Sequence, residues 1–376
     1  MSERLDRNWE TVDFMFASQF EREFYARLHR FLLEGPDGRS ASRHGDMAVA
    51  STQGPSRERN EDRAVVCELI TKVGRRIRLA IVCDGMGGMV NGHDASSRAA
   101  AAFLTTMIAN TSDREFSPLD LMRACEAANA AVYERYDGKG GTTLTALSIT
   151  SDSGACVHVG DSRLYAVEHD GDLRLLTRDD TLSAIVQAEA GDVNEDELDN
   201  RLLQFVGIGP VMTPALFPVN FAGTNLFFLT SDGTHGFGRK ALEGMAAHVR
   251  SPIDLARKAV FVANALNGPD NASIACLTAN TDEPEMEVGV SIARIWTPSD
   301  HIEVWLPDLR RGDHREQAGR SKAVPSDASK AASKPAQERK ATRKRPDRPA
   351  KLKASSGGNP QDQEVLFRLG EAEADD

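Results

Sequence analysis

Asp84 closes an apolar run, Leu79-Ala80-Ile81-Val82-Cys83, and is followed at once by Gly85-Met86-Gly87-Gly88. The run reads as a buried strand. A carboxylate at the mouth of such a strand is costly unless it is paired or bound to a cation. Glycines beside it let the backbone turn sharply and bring a bare carbonyl close to a ligand. The segment therefore suits an oxygen-ligand metal site. Taken alone, it suits an ordinary strand-to-helix turn with an Asp cap equally well. The balance shifts because the chain repeats the device. Leu226-Phe227-Phe228-Leu229-Thr230-Ser231 runs into Asp232-Gly233, and Ala155-Cys156-Val157-His158-Val159 runs into Gly160-Asp161-Ser162-Arg163. Asn60-Glu61-Asp62 and Pro269-Asp270-Asn271 set further acids at the edges of strand-like runs. Carboxylates and a carbonyl gathered at one edge of a sheet suit a hard cation such as Mg2+ or Mn2+.

Taken in order, Arg57-Glu58-Arg59-Asn60-Glu61-Asp62, Asp84-Gly85-Met86-Gly87-Gly88, Gly141-Thr142-Thr143, Gly160-Asp161-Ser162-Arg163, Ser231-Asp232-Gly233 and Gly268-Pro269-Asp270-Asn271 span roughly residues 48–280. The ordered set resembles the PPM-type (type 2C) metal-dependent protein serine/threonine phosphatases, and the methionine in the Asp-Gly-Met-Gly-Gly turn resembles their bacterial branch. The resemblance implies an α+β fold, a four-layer α-β-β-α sandwich with a central antiparallel β-sandwich flanked by helices. It implies two tightly held Mn2+ or Mg2+ ions. Asp84 would bridge them, Gly85 would add its carbonyl to one, and Asp232 and Asp270 would hold the other. Glu61 and Asp62 would bind through water or at the edge of the site. A water shared by the ions would attack phosphorus in line, with no phosphoenzyme. No Cys-x5-Arg signature is present to support a cysteine phosphatase.

The resemblance gives Arg57 the substrate phosphate, and the planar fork of a guanidinium agrees with that role; Arg59 reads as a surface arginine. Asp161 has two readings. One is a turn residue paired with Arg163, and the other is a ligand of a third, weaker ion. The chain departs from the family in two places. Met86 stands where some members carry a histidine and cannot donate a proton to a leaving group. Asp180-Thr181 stands where the family commonly has His-Ser, beside the flap of the catalytic cleft. His235 reads as a loop histidine without a role. The implied substrates are phosphorylated proteins, with a cognate serine/threonine kinase. A phosphoprotein-binding regulatory scaffold with little catalysis is the alternative, and the intact carboxylates argue against it.

The elements that must position these groups follow from pattern. Apolar residues from Trp9 to Phe31 recur at helical spacing, predicting an amphipathic helix over residues 8–33 that packs on the core or, as a second reading, docks a partner. A polar loop fills residues 35–46. Helices over Asp94–Asn110 and Leu119–Tyr136 are followed by short strands joined by Asp, Ser and Gly turns, which fits an antiparallel meander. Leu182–Ala190 and Glu195–Leu203 read as helical, as does Pro252–Leu266. Val288–Ile295 and Ile302–Leu306 form a candidate extra hairpin with no clear place in the core. The expected divisions are residues 1–46 (helix and loop), 47–281 (phosphatase domain), 282–307 (hairpin) and 308–376 (a disordered basic tail with an acidic end).

The chain has 376 residues and a formal charge of −11, which argues against nucleic acid as a partner; the basic stretch around Arg343-Lys344-Arg345 leaves that open locally. No run approaches a membrane span, and Met1-Ser2-Glu3-Arg4-Leu5-Asp6 lacks the apolar core expected of a signal peptide. The five cysteines are scattered through apolar runs, as expected of buried reduced thiols in a cytoplasmic protein.

Overall fold

The computed structural model describes residues 16–35, 38–112, 114–190, 201–249, 251–279, 290–306 and 367–371. The expected helix over Glu195–Leu203 and the basic stretch 308–360 lie largely or wholly outside these residues, as do Trp9 and Val12. The first helix, α1, spans Gln19–Leu33. Its N-terminus is set by a capping box in which Ser18 and Glu21 exchange side chain-to-backbone hydrogen bonds.

Among the described residues, two antiparallel sheets face each other. One has six strands: β1 (Ser40–His44), β2 (Met47–Thr52), β11 (Ala272–Thr278), β10 (Thr224–Thr230), β7 (Arg163–Glu168) and β8 (Leu173–Leu175), in that order. The other has eight: β14 (Phe367–Glu371), β13 (Asp300–Leu306), β12 (Ser291–Trp296), β3 (Arg63–Ile70), β4 (Arg76–Cys83), β5 (Leu144–Ile149), β6 (Gly154–Val159) and β9 (Ala215–Pro218). Alternate residues of both sheets meet in a shared core: Val49 and Leu277 from one, Val66, Val82 and Leu147 from the other. Period-2 alternation places these side chains on one face of each strand.

The outer faces are covered by helices. Against the six-stranded sheet, Leu242 and Ala246 of α6 (Arg239–Ala246) and Leu255, Ala259 and Val260 of α7 (Pro252–Ala265) pack on Ala48, Tyr165 and Phe228. The other sheet carries α2 (Gly92–Thr111) and α3 (Pro118–Tyr136), whose alanine-rich faces are buried. Helix α1 packs on α2, so the core-packing reading of the N-terminal helix holds. Its buried stripe is Phe24, Tyr25, Leu28 and Leu32. The short helices α4 (Leu182–Ala190) and α5 (Asp232–His235) complete the set. The four layers match the expected α-β-β-α sandwich.

Three expectations change. Ser40–His44, read as loop, pairs with β2 around a Gly45-Asp46 turn. Its side chains are small or polar and signal no apolar alternation, yet an edge strand needs only one partner. The hairpin of β12 and β13 is part of the eight-stranded sheet, because β12 pairs with β3 from Ile292↔Ile70 to Trp296↔Val66. Inside the stretch expected to be an unstructured tail, Phe367–Glu371 pairs with β13 as β14. No helix among the described residues is long and apolar enough to cross a membrane. All five cysteines are buried and free.

Candidate active site

Register decides what meets at the end of the sandwich. Arg63 pairs with Cys83, so Asp62 and Asp84 leave β3 and β4 side by side. In the opposing sheet Thr230 pairs with both Arg163 and Ile274, which puts Asp161, Asp232 and Asp270 at the same end. The eight residues expected to build the site therefore sit around one cleft. Asp84 and Asp232 are close enough to act on each other, and both feel the charges of neighbouring acids. Asp270 lies at the rim in an ion pair with Arg57 at 2.5 Å, so the two residues assigned to metal and to phosphate are bonded to one another. The Glu61 carboxylate lies against Gly87 and Gly92.

The backbone around the acids is tightly tied. Thr143 Oγ1 accepts the Asp84 N–H at 2.9 Å, and the Thr142 hydroxyl donates to the Asp84 carbonyl at 2.8 Å. Gly85 N–H donates to the Glu61 carbonyl at 3.2 Å. A Cβ on Gly85 would lie 2.4 Å from the Gly92 carbonyl oxygen and 2.6 Å from that of Glu61. Only glycine fits between these two backbones. Gly233 is as constrained, since a Cβ there would come within 2.0 Å of the Asn271 carbonyl oxygen.

Several residues that hold the acids had no role assigned to them from sequence. Ser231 Oγ donates to Asp62 Oδ2 at 2.7 Å and accepts the Ser273 N–H at 2.9 Å. Asn271 accepts the Glu61 N–H at 2.8 Å and donates to the carbonyls of Gln53 and Arg59 at 2.7 and 3.0 Å, spanning the Arg57–Asp62 loop. Asp180, at the family departure, accepts the Gly160 N–H at 2.9 Å and returns its own N–H to the Gly160 carbonyl at 2.7 Å. It thus clasps the residue before Asp161. The signal was its place in the Asp179-Asp180 pair, but the partner lies in another strand's turn.

Two local readings are corrected. Arg163 does not pair with Asp161; it forks onto Asp179 at 3.0 and 2.7 Å. His235 is buried in α5 with Nδ1 3.0 Å from Thr230 Oγ1, so it belongs to the packed interior and not to a loop. Met86 packs beside Gly141 and Phe205, and the Thr142–Val206 backbone pair holds Val206 next to this turn.

Electrostatically the cleft is unfinished. Burial, and then repulsion from Asp232, pushes the Asp62 carboxyl up to about 7 despite the Ser231 hydrogen bond. Asp161 is pushed up to about 7 by burial and by Asp232 and Asp179. Asp84 and Asp232 are raised for the same reasons, burial first. Asp232 Oδ1 is buried without a hydrogen-bond partner. Among the described residues no three His, Cys, Asp or Glu side chains close into a ready-made metal-binding group. The donor set still fits a hard divalent cation. It consists of oxygen ligands, crowded together, with unmet negative charge and an orphaned oxygen.

Comparison with known proteins bears on the same region. A family described as Protein phosphatase 2C matches residues 56–258. A putative protein phosphatase 2C-type of Streptococcus pyogenes is 27% identical over 254 residues, covering 64% of this chain and 99% of that protein. The serine/threonine protein phosphatase PstP of Mycobacterium tuberculosis is 30% identical over 239 residues, 60% of this chain and 43% of PstP. The crystal structure of the PPM Ser-Thr phosphatase MsPP from Mycobacterium smegmatis, solved with cacodylate, superposes with a TM-score of 0.51 at 29% identity, covering 61% of this chain and 97% of MsPP.

Proposed function

We propose that this chain, which belongs to the protein phosphatase 2C family and is a protein serine/threonine phosphatase, works by water attack on phosphoserine and phosphothreonine at a two-cation Mn2+ or Mg2+ site. The observation that carries the mechanism is the crowding of Asp62, Asp84, Asp161 and Asp232, all raised above their ordinary value, with the guanidinium of Arg57 at the rim.

Asp84, the Gly85 carbonyl, Asp232 and Asp270 are the residues that would hold the two tight ions, with Glu61 and Asp62 at their margin and Asp161 on a third, weaker one. Such ions would supply acidification of a water and relief of charge on the phosphoryl oxygens. Everything else falls to the protein. Arg57 lies half-exposed at the rim, where its fork can exchange Asp270 for phosphate oxygens and orient them for in-line attack. Ser231 and Asn271 keep the Asp62 and Glu61 segments in place. Thr142 and Thr143 fix the backbone of Asp84. The substrates are phosphorylated proteins modified by a cognate serine/threonine kinase. The compartment is the cytoplasm, consistent with five free thiols.

Hydrolysis of a phosphothreonine peptide with added Mn2+, and with EDTA, tests this reading. Turnover should appear only with the metal. Asp161→Asn should fold, keep the two tight ions by calorimetry and lose most turnover, because a neutral amide oxygen is a poorer ligand for these cations. Full turnover in chelator would overturn the metal mechanism. Wild-type turnover of Asp161→Asn at every Mn2+ concentration would return Asp161 to the turn-residue reading.

A further inference from the structure

The matched family region begins at residue 56, yet α1 lies before it and reaches the site through one side chain. Arg63 Nε donates to the Leu32 carbonyl at 2.7 Å and to Ser97 Oγ at 2.8 Å. The same guanidinium, through Nη1, donates to the carbonyls of Asn60 at 3.0 Å and Asp62 at 2.6 Å. Leu32 is in the last turn of α1, where carbonyls lack intrahelical partners and carry the negative end of the helix dipole. Arg63 thus satisfies a helix terminus with one side of its fork. With the other it grips the backbone on both sides of Glu61.

A second anchor fixes the helix itself. His29 Nε2 lies 2.9 Å from Asp94 Oδ1 in the first turn of α2, and Arg98 Nε and the Tyr136 hydroxyl share Asp94 Oδ2. Burial would raise the Asp94 carboxyl, but bonds from His29, Arg98 and Tyr136 hold it well below the usual range. The apolar stripe of Phe24, Tyr25, Leu28 and Leu32 is buried along the same helix.

We propose that α1 is a positioning element of the active site, holding the Asn60–Asp62 loop in place through the guanidinium of Arg63. Arg63 touches no reacting atom. It fixes where the Glu61 and Asp62 carboxylates are presented, and its own position depends on the helix carbonyl. The proposal rests on the phosphatase reading for its catalytic consequence, but not for its mechanical one.

The test uses the full chain and four proteins: wild type, Arg63→Met, His29→Ala and the double variant, with Arg63→Lys as the conservative control. Methionine keeps the apolar stem and removes every donor. Amide hydrogen exchange across Asn60–Asp62 is read without metal, and hydrolysis of p-nitrophenyl phosphate with Mn2+. Arg63→Met should speed exchange in the loop. It should also lower kcat ~10- to 100-fold, as loss of an outer partner of metal ligands does, with KM little changed. Arg63→Lys should fall between, because a single ammonium cannot bridge the helix and loop carbonyls at once. His29→Ala should speed loop exchange in the wild-type background and add nothing in Arg63→Met, because the helix acts through that residue. Native loop exchange and kcat in Arg63→Met, or a lower melting temperature alone, would overturn the proposal. So would additive effects of the two substitutions. Should Arg63→Met fail to fold, Arg63→Lys with His29→Ala decides by the same criteria. A wild-type protein with no phosphatase activity would sink the functional reading, and the exchange data would still decide the positioning role.

Discussion

The paired strands β3 and β4 meet acids at both ends, Asp62 and Asp84 beyond one and Glu68 near the other, and the two ends treat them in opposite ways. At one end Asp62 and Asp84 meet other carboxylates and are pushed up. At the other, Glu68 meets Arg76 at 2.6 Å, Arg294 of β12 at 3.0 Å and His44 at 3.4 Å. Burial alone would raise Glu68, but His44 and Arg76 draw it down to about 2. Beside it Asp46 takes Arg76 at 3.0 Å and also Arg78. Asp62 and Glu68 are equally buried, at 3% and 4% exposure, so the difference between them is the partner. Where arginines are supplied, an acid fastens strands together. Where carboxylates crowd one another instead, they repel, and that unmet charge is what the proposed cations would offset.

The sharpest way to break this contrast is to neutralise one acid at each end. Asp84→Asn should lower turnover by at least ~1,000-fold, about 4 kcal/mol of barrier, while the metal-free protein keeps or gains stability through relieved repulsion. Glu68→Gln should do the reverse, leaving turnover intact and costing about 1.5–3 kcal/mol, because a neutral amide replaces the buried carboxylate that Arg76 and Arg294 bond. Kinetics and urea unfolding on both variants check this. Similar effects from the two would dissolve the distinction.

A smaller effect separates the ends by ligand. Mn2+ at 100 times its dissociation constant should stabilise the wild type by about 2.7 kcal/mol, and Asp84→Asn should lose most of that gain while Glu68→Gln keeps it. Thermal melts with and without Mn2+ measure the shift. Arg57→Ala should raise the apparent KM for phosphopeptide by one to two decades, about 1.5–3 kcal/mol for a charge-assisted contact. An unchanged KM would leave Arg57 as only a partner of Asp270.

The smallest effect is acid sensitivity. A carboxyl with a depressed folded-state pKa stabilises above its unfolded value, and that contribution is lost as pH falls towards the folded value. Glu68 drops from 4.5 to about 2, so taking the pH from 7 to 3.5 should remove about 1 kcal/mol through this group. Glu68→Gln should flatten that part of the pH–stability curve.

Sequence was most informative where one residue carries its own context. Asp84 and Asp232 announce themselves by following apolar runs and preceding glycine, and the glycines at 85 and 233 proved sterically obligatory. It was least informative where a role exists only across the fold. Ser231 and Asp62 are far apart in the chain, as are Asp180 and Gly160, and their hydrogen bonds come from strand register. Ser40–His44 has no apolar signature because only one edge of it is paired. The β12–β13 hairpin was readable as a hairpin, but its docking on β3 needed the open edge of a sheet that local pattern does not display.

Strand β14 has a practical consequence for handling this protein. It occupies the outer edge of β13 from Asp300↔Glu371 to Val304↔Phe367. A protein cut after Leu306 would leave that row of backbone N–H and carbonyl groups bare, and bare edges recruit strands from neighbouring chains. Such a fragment should retain turnover per folded molecule but associate and precipitate as its concentration rises. Appending Phe367–Glu371 through a short linker should restore a monodisperse solution.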